Sequence, residues 1–426
     1  MKCSPVRAAA GLLVAVLPLA ASAAEITRIA SSFEPDDPFG MYLNASWVRA
    51  QEKMKIVREH HQNGDVQEVS ELRYLEVENR IDFDLRIGLW QDLEFRYAIP
   101  LVISRDQEWK FASGTDAGNS TIIGNCLQAN GELLDPGCPE NGAGAQPIFD
   151  VPNASFRGGW GDMHFGLAYA LFNEQKDPSK PMWILGLDYQ APTSALDDPT
   201  VPTARDARGE IGERIHRYTI YTALSKRLGV ADPYFKVHYT QPVKGPGWYS
   251  NCDHPDESRM SVPGNCGQGP WTRAETGIKP AYTGGVIFGS EFNAYENRTE
   301  HQKIAFDLNV LANYRSEGRY HNELTDVTKK LMYTSDSLEV GGTFAIHAWA
   351  AEFVGVNVGG TITYTTEHNL SDEQIGKDLD GNSTVDLGNI DEINPNFDYR
   401  MDMVSRRFRA AEQFNFMLVG NVVFSF

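Results

Sequence analysis

Leu75-Glu76-Val77-Glu78-Asn79-Arg80-Ile81-Asp82-Phe83-Asp84-Leu85-Arg86-Ile87 alternates between two kinds of side chain. The odd positions are apolar except for Asn79, and the even positions are all charged. After a tight turn near Trp90-Gln91-Asp92 the pattern resumes as Leu93, Phe95, Tyr97, Ile99, Leu101 and Ile103, with Glu94, Arg96 and Ser104 on the other face. Successive residues of a strand point to opposite sides, so a period of two reads as β-structure. One apolar face and one densely charged face suit a half-solvated antiparallel sheet, or a barrel wall between lipid and water.

The same alternation predicts about twelve strands, near 45–59, 67–88, 92–110, 159–174, 181–190, 213–227, 233–243, 277–297, 303–315, 338–351, 354–368 and 404–426. From the second onward, every alternate connection is short, as at 175–180, 228–232 and 298–302. The connections between are long, apart from the first near 60–66. A Greek-key sandwich gives no reason for that regularity. A membrane-spanning barrel does, because short turns lie on one side of it and long loops on the other. The expectation is an all-β, transmembrane, antiparallel up-and-down β-barrel of about twelve strands. It occupies residues 24–426 as one domain, with both termini on the short-turn side.

Composition agrees. The 426 residues carry 38 Lys plus Arg against 57 Asp plus Glu, a net charge of −19, and 42% are hydrophobic. That is too apolar for a disordered chain and too acidic to bind nucleic acid through its phosphates. Beyond the N-terminus there is no run of eighteen apolar residues to form a spanning helix, whereas a spanning strand needs only about ten.

Residues 1–23 read as a signal peptide: Lys2 and Arg7 precede the apolar run 8–20, and Ala21-Ser22-Ala23 fits the small-x-small cleavage rule. Four cysteines remain after it, Cys126, Cys138, Cys252 and Cys266. Three pairings or a four-thiolate metal site are open. Two local disulfides, Cys126–Cys138 and Cys252–Cys266, are favoured, since neither pair has zinc-ligand spacing.

The chain ends with Phe414, Phe416, Leu418, Val422, Phe424 and Phe426 on one face of its last strand. This resembles the C-terminal signal of Gram-negative outer-membrane β-barrels, except that Asn421 stands where the family pattern has glycine. The resemblance implies a Gram-negative outer-membrane location, contact with outer-membrane lipid, and assembly by the barrel insertion machinery. It says little about substrate.

With the apolar face toward lipid, Glu76, Glu78, Arg80, Asp82, Asp84, Arg86, Glu94 and Arg96 point into the lumen. Later strands add Asp188, Arg217, Lys236, His238, Glu291, Asp307, Arg315, Thr343, His347, Thr361, Thr363 and Glu367. A charge on the lipid face costs about 2–4 kcal/mol near the midplane, so confinement to one face fits this orientation. Such residues either fill a narrow barrel with ion pairs or line a selective path, as charged rings do in other pores. Trp47, Trp90, Trp109, Trp183, Tyr189, Tyr234, Tyr295, Tyr314, Tyr333 and Tyr364 are candidates for interfacial girdles.

One loop carries candidate metal chemistry. Asp378, Asp380, Asn382, Thr384 and Asp386 occupy the first, third, fifth, seventh and ninth positions of an EF-hand-like loop over 378–389, the pattern of a Ca2+ site. Ser383 replaces the sixth-position glycine and Asn389 the twelfth-position glutamate; Asp391 is a substitute further along. A solvated acidic loop is the alternative. No other cofactor signature is present. His60, His61, His216, His238 and His347 are scattered, with no nucleophile setting, so no enzyme is expected. The favoured function is passage of small solutes through a polar lumen. The alternatives are a closed barrel whose surface loops serve adhesion, recognition or envelope integrity, and then a rim-active hydrolase.

Overall fold

The computed structural model describes residues 24–32, 39–62, 65–135, 138, 144–267, 269–297 and 299–426; the signal-peptide reading of 1–23 lies outside them. The wall strands are β1 (Met41–Gln62), β2 (Asp65–Trp90), β3 (Leu93–Phe111), β4 (Asn153–Trp160), β5 (Met163–Phe172), β6 (Met182–Ala191), β7 (Ile215–Ser225), β8 (Ala231–Lys244), β9 (Thr283–Asn297) and β10 (Gln302–Arg315). A small hairpin, β11 (Gly318–Tyr320) and β12 (Met332–Thr334), precedes β13 (Ser337–Ala351), β14 (Val354–Thr365), the two-residue β15 (His368–Asn369) and β16 (Phe408–Ser425). Antiparallel pairing runs round the wall and closes where β1 meets β16, from Tyr42 opposite Ser425 to Arg58 opposite Phe408. With β4 and β5 counted as one interrupted strand on β3, the barrel has twelve strands.

Closure pairs the first wall strand with the last, which a strand protein needs in hydrocarbon because no water is there to satisfy the backbone. The outward residues form an apolar band: Ile220 is 58% exposed, Phe288 60%, Val310 61% and Ile362 60%. Such a surface has a solvation reason only in lipid.

Most strand boundaries match the periodicity, with three instructive differences. The strand expected at 277–297 begins at Thr283, because Lys279 bridges to Arg319 of the small hairpin. The strand expected at 159–174 is split after Trp160, and its first part lies on β3 alone within the wall. β1 and β2 run further than expected, 22 and 26 residues, when about ten suffice to cross a bilayer. Their hairpin therefore stands well above the membrane. Its outward residues there are Lys53, Lys55 and Arg73, all exposed.

The inner face of these tall strands changes character along its length. Low down it is charged; higher up it carries Met54, Ile56, Leu72, Tyr74 and Trp109. Against them pack Ile122 and Phe149 from the loop after β3, Leu324, Val327 and Met332 from the loop after β10, and Leu370 and Met401 from the loop before β16. This apolar core folds the long loops inward as a cap over the mouth. Trp109 was expected in a girdle, but it is buried here with its indole N–H on the Glu323 carbonyl. The disulfides are local, Cys126–Cys138 (Cα–Cα 5.8 Å) and Cys252–Cys266 (5.0 Å), and each staples one cap loop.

The short-turn end is closed differently. Residues 24–32 cross it from inside as a strap. A single turn, Glu25–Thr27, starts it, and Ile29 enters a cluster with Ala168, Ala170, Met182, Ile184 and Ala223. Gly40 and Gly88 are required where the strap leaves the lumen. A Cβ on Gly40 would lie 2.0 Å from the Ser31 carbonyl oxygen, and one on Gly88 would lie 2.5 Å from Ser32 Oγ.

Candidate functional site: a charged chamber between two closures

Between strap and cap lies a chamber of about 790 Å³. Glu78, Arg80, Asp82, Asp84, Arg86, Arg96 and Arg217 of the expected lumen set line it, together with Arg105. Two carboxylates each bridge two guanidiniums. Glu78 takes Arg80 (2.9 Å) and its register partner Arg105 (2.8 Å). Asp84 takes Arg96 (2.5 Å) and Arg86 (3.3 Å). The second bridge answers a conflict in the register, since Arg86 stands directly opposite Arg96 and like charges in that position repel. Pairing thus runs along the strand as well as across it. The adjoining strands are neutral here: Asn44 and Ser46 of β1 stand beside Asp84 and Asp82, and Asn421 of β16 and Asn357 of β14 continue the row. The residue that departs from the terminal-strand pattern, Asn421, is therefore a chamber residue.

The other expected lumen residues also sit on inward positions, but with different partners. Glu76 accepts from the Tyr74 hydroxyl and from Gln107. Lys236 lies 4.6 Å from the Tyr221 ring centre, and His238 is half-buried. Asp188 lies within van der Waals reach of Gly166. Asp307 accepts from Tyr234 (2.6 Å) and lies 3.8 Å from His347 Nε2, while His347 Nδ1 contacts Asn357 at 3.0 Å. Thr343 and Thr361 share a hydrogen bond, and Thr363 donates to Glu339. Glu94 and Glu291 hold the strap: they accept the backbone N–H groups of Ala30 and Glu25. Glu367 is the exception. β14 ends at Thr365, and Glu367 lies exposed beyond it, 3.8 Å from Arg409, because the pleat that would turn it inward has stopped. Tyr234 is an inward residue and Tyr333 a buried cap residue, so neither belongs to a girdle; Trp47, Trp90, Tyr295 and Tyr314 are exposed on the outside.

Above the chamber a second cavity of about 250 Å³ shares Arg105, Asp197 and His321 with it and also holds Glu52, Glu76 and Arg315. Its wall contains a group that strand periodicity does not reveal. Arg157 Nη1 meets Asp197 Oδ1 at 2.5 Å, and Nη2 meets Asp326 Oδ1 at 2.5 Å. His321 Nδ1 is 3.6 Å from Asp197 Oδ2. Burial pushes the Asp197 carboxyl up, and His321 and Arg157 offset this only in part. Burial also works to raise Asp326, but hydrogen bonds from Arg157 outweigh it and hold that carboxyl below the usual range. These residues come from β4 and two cap loops, where no local pattern marks them. The only sequence signal is an arginine among small residues in β4.

In the acidic loop the structure brings Asp378 and Asp380 together with the buried Glu392, their ligand-type oxygens all within 4.8 Å of one another. Asn382 Oδ1 accepts from Thr384 N and Oγ1, and Asp386 Oδ1 accepts from Gly388 N, so these three serve the turn itself. Ser383 adopts φ 70°, the left-handed conformation for which the pattern has glycine. Glu392 lies beyond the twelve-residue pattern, which is why the spacing did not point to it.

No protein-family model matches the chain, and no curated protein sequence matches it. Among solved structures, the chain resembles the COG4313 outer membrane channel from Pseudomonas putida F1, with 10% identity, TM-score 0.41, and coverage of 90% of this chain and 95% of that one. It also resembles a Pseudomonas aeruginosa FadL homologue, with 7% identity, TM-score 0.35, and coverage of 91% and 90%. The outer membrane protease OmpT from Escherichia coli is a further likeness, with 10% identity, TM-score 0.28, and coverage of 91% and 97%. Likeness at this level carries no argument about activity. Closure, lipid-facing band and polar lumen define the class on their own: the chain is a twelve-stranded antiparallel β-barrel of the outer-membrane type.

Proposed function

We propose that this barrel passes small polar solutes across the outer membrane, with the ion-paired chamber as its selective section. The observation that carries the reading is the adjoining pair of cavities. They share Arg105, Asp197 and His321 and run from above the strap to beneath the cap. A lumen needed only for structure could have been filled with apolar side chains. This one keeps a water-accessible core of guanidiniums and carboxylates beside neutral amides, which suits solutes carrying both donors and acceptors. The closures are separate segments and not wall, so passage requires them to yield. The cap packs onto the tall wall strands through an apolar core, and that favours a second reading: a permanently closed barrel whose outer loops recognise a surface partner.

Planar-bilayer recording separates the two. The channel reading expects discrete openings from the folded protein, and a higher open fraction in Gly88→Ala, whose new methyl would displace Ser32 and Ala30 of the strap. Absence of any opening from both proteins, each folded and heat-modifiable, would leave the closed-barrel reading.

A further inference from the structure

At the strap's anchoring end, the described lysines and arginine around Asp232 are already engaged. Lys303 pairs with Glu291 at 2.5 Å, Lys226 with Glu174 at 2.8 Å, and Arg227 with Glu296 at 2.6 Å. Asp232 stands among these groups with only 1% of its surface exposed, and neither carboxylate oxygen has a partner among the described residues. It sits directly opposite Glu291 in the β8–β9 register, a like-charge pair that is unfavourable unless a cation joins it.

The strap's first turn lies over this position. Glu25 N donates to Glu291 Oε2 on β9, and Thr27 Oγ1 meets Ser225 Oγ on β7. Asp232 is on β8, between those two strands. Ala24 is fully buried and closes the turn by accepting Thr27 N at 3.0 Å.

We infer that the α-ammonium of Ala24 is the counter-ion of Asp232, so that removal of residues 1–23 creates the charge that locks the strap. This rests on reading residues 1–23 as a cleaved leader, and not on the channel reading. Before cleavage, Ala24 N is a neutral amide. A leader peptidase adds water across the Ala23–Ala24 bond: the released peptide keeps the carboxylate, and Ala24 keeps an amine that is protonated at neutral pH. The new cation arises one residue from an N–H already bonded to Glu291. It therefore meets two buried carboxylates, of which Glu291 has a lysine and Asp232 has none among the described residues. Strap docking thereby depends on export processing.

The test is reductive methylation of the α-amine at pH 7 in protein isolated from the membrane, read by mass on the N-terminal peptide. It compares the unmodified protein, Asp232→Asn, and a chain with one glycine inserted between Ala23 and Ala24, which moves the ammonium by about 3.5 Å. Labelling is expected to be about tenfold slower or more in the unmodified protein than in either variant, with all three heat-modifiable. If Asp232→Asn does not fold, the inserted glycine decides, since its wall is unchanged. Equal rates, or a mature chain beginning elsewhere than Ala24, overturn the inference.

Discussion

Replacing Arg157 by alanine should release the outer cap while leaving the barrel intact. The side chains of Arg157, Asp197 and Asp326 are 4%, 6% and 7% exposed. The guanidinium also donates from Nε to Asp326 Oδ2 at 2.9 Å and from Nη1 to the Glu210 carbonyl at 3.0 Å. Its loss leaves two buried carboxylates without their principal cation. Breaking a buried pair from one side costs about 3–5 kcal/mol. At roughly 1.4 kcal/mol per decade, that raises the open-cap population by roughly two to three and a half orders of magnitude. Limited proteolysis of the folded barrel in detergent reads this as rapid cutting within 192–214 and 316–336, with the wall strands protected. The defect should shrink at low pH. Without Arg157 both carboxyls sit higher, and a raised carboxyl is penalised only as pH climbs through its range. Neutralising the site as a whole, by Arg157→Leu with Asp197→Asn and Asp326→Asn, should recover much of the resistance. A single variant as resistant as the unmodified protein at pH 8 would refute the reasoning.

Other outcomes follow from the cap loops. Asp402 is buried, and burial pushes its carboxyl up to about 7, with Lys330 opposing. Its folded value lies above its unfolded one of about 3.9, so the stability tied to it is complete below that value and is lost as pH rises through 7. Protease resistance of 366–407 should therefore fall between about pH 4 and 7, and Asp402→Asn should flatten the fall. For the acidic loop, the expectation is that Ca2+ slows proteolysis of 369–403 and that Asp380→Ala abolishes the effect. No change on adding Ca2+ to the unmodified protein would leave a solvated acidic turn.

Much of the wall is legible along the chain, because a strand's two faces are written two residues apart. From Leu75 to Ile103 that rule separates lipid from lumen side chain by side chain, and it locates both disulfides inside single loops. Glu367 shows where the rule stops: alternation continues in the letters after the strand has ended. Arg86 and Arg96 show a further limit, because neither strand alone reveals that register sets them opposite each other with Asp84 between them.

The closures were decided only by the tertiary structure. Glu25 reaches Glu291 across 266 positions, and Thr27 reaches Ser225 across 198. Arg157 joins Asp326 across 169. These contacts have no period, since each depends on the barrel first bringing distant strand ends to one mouth. Local alternation determines a wall because its information is short-ranged. What fills and closes that wall depends on side chains far apart in the chain that meet only in the folded barrel.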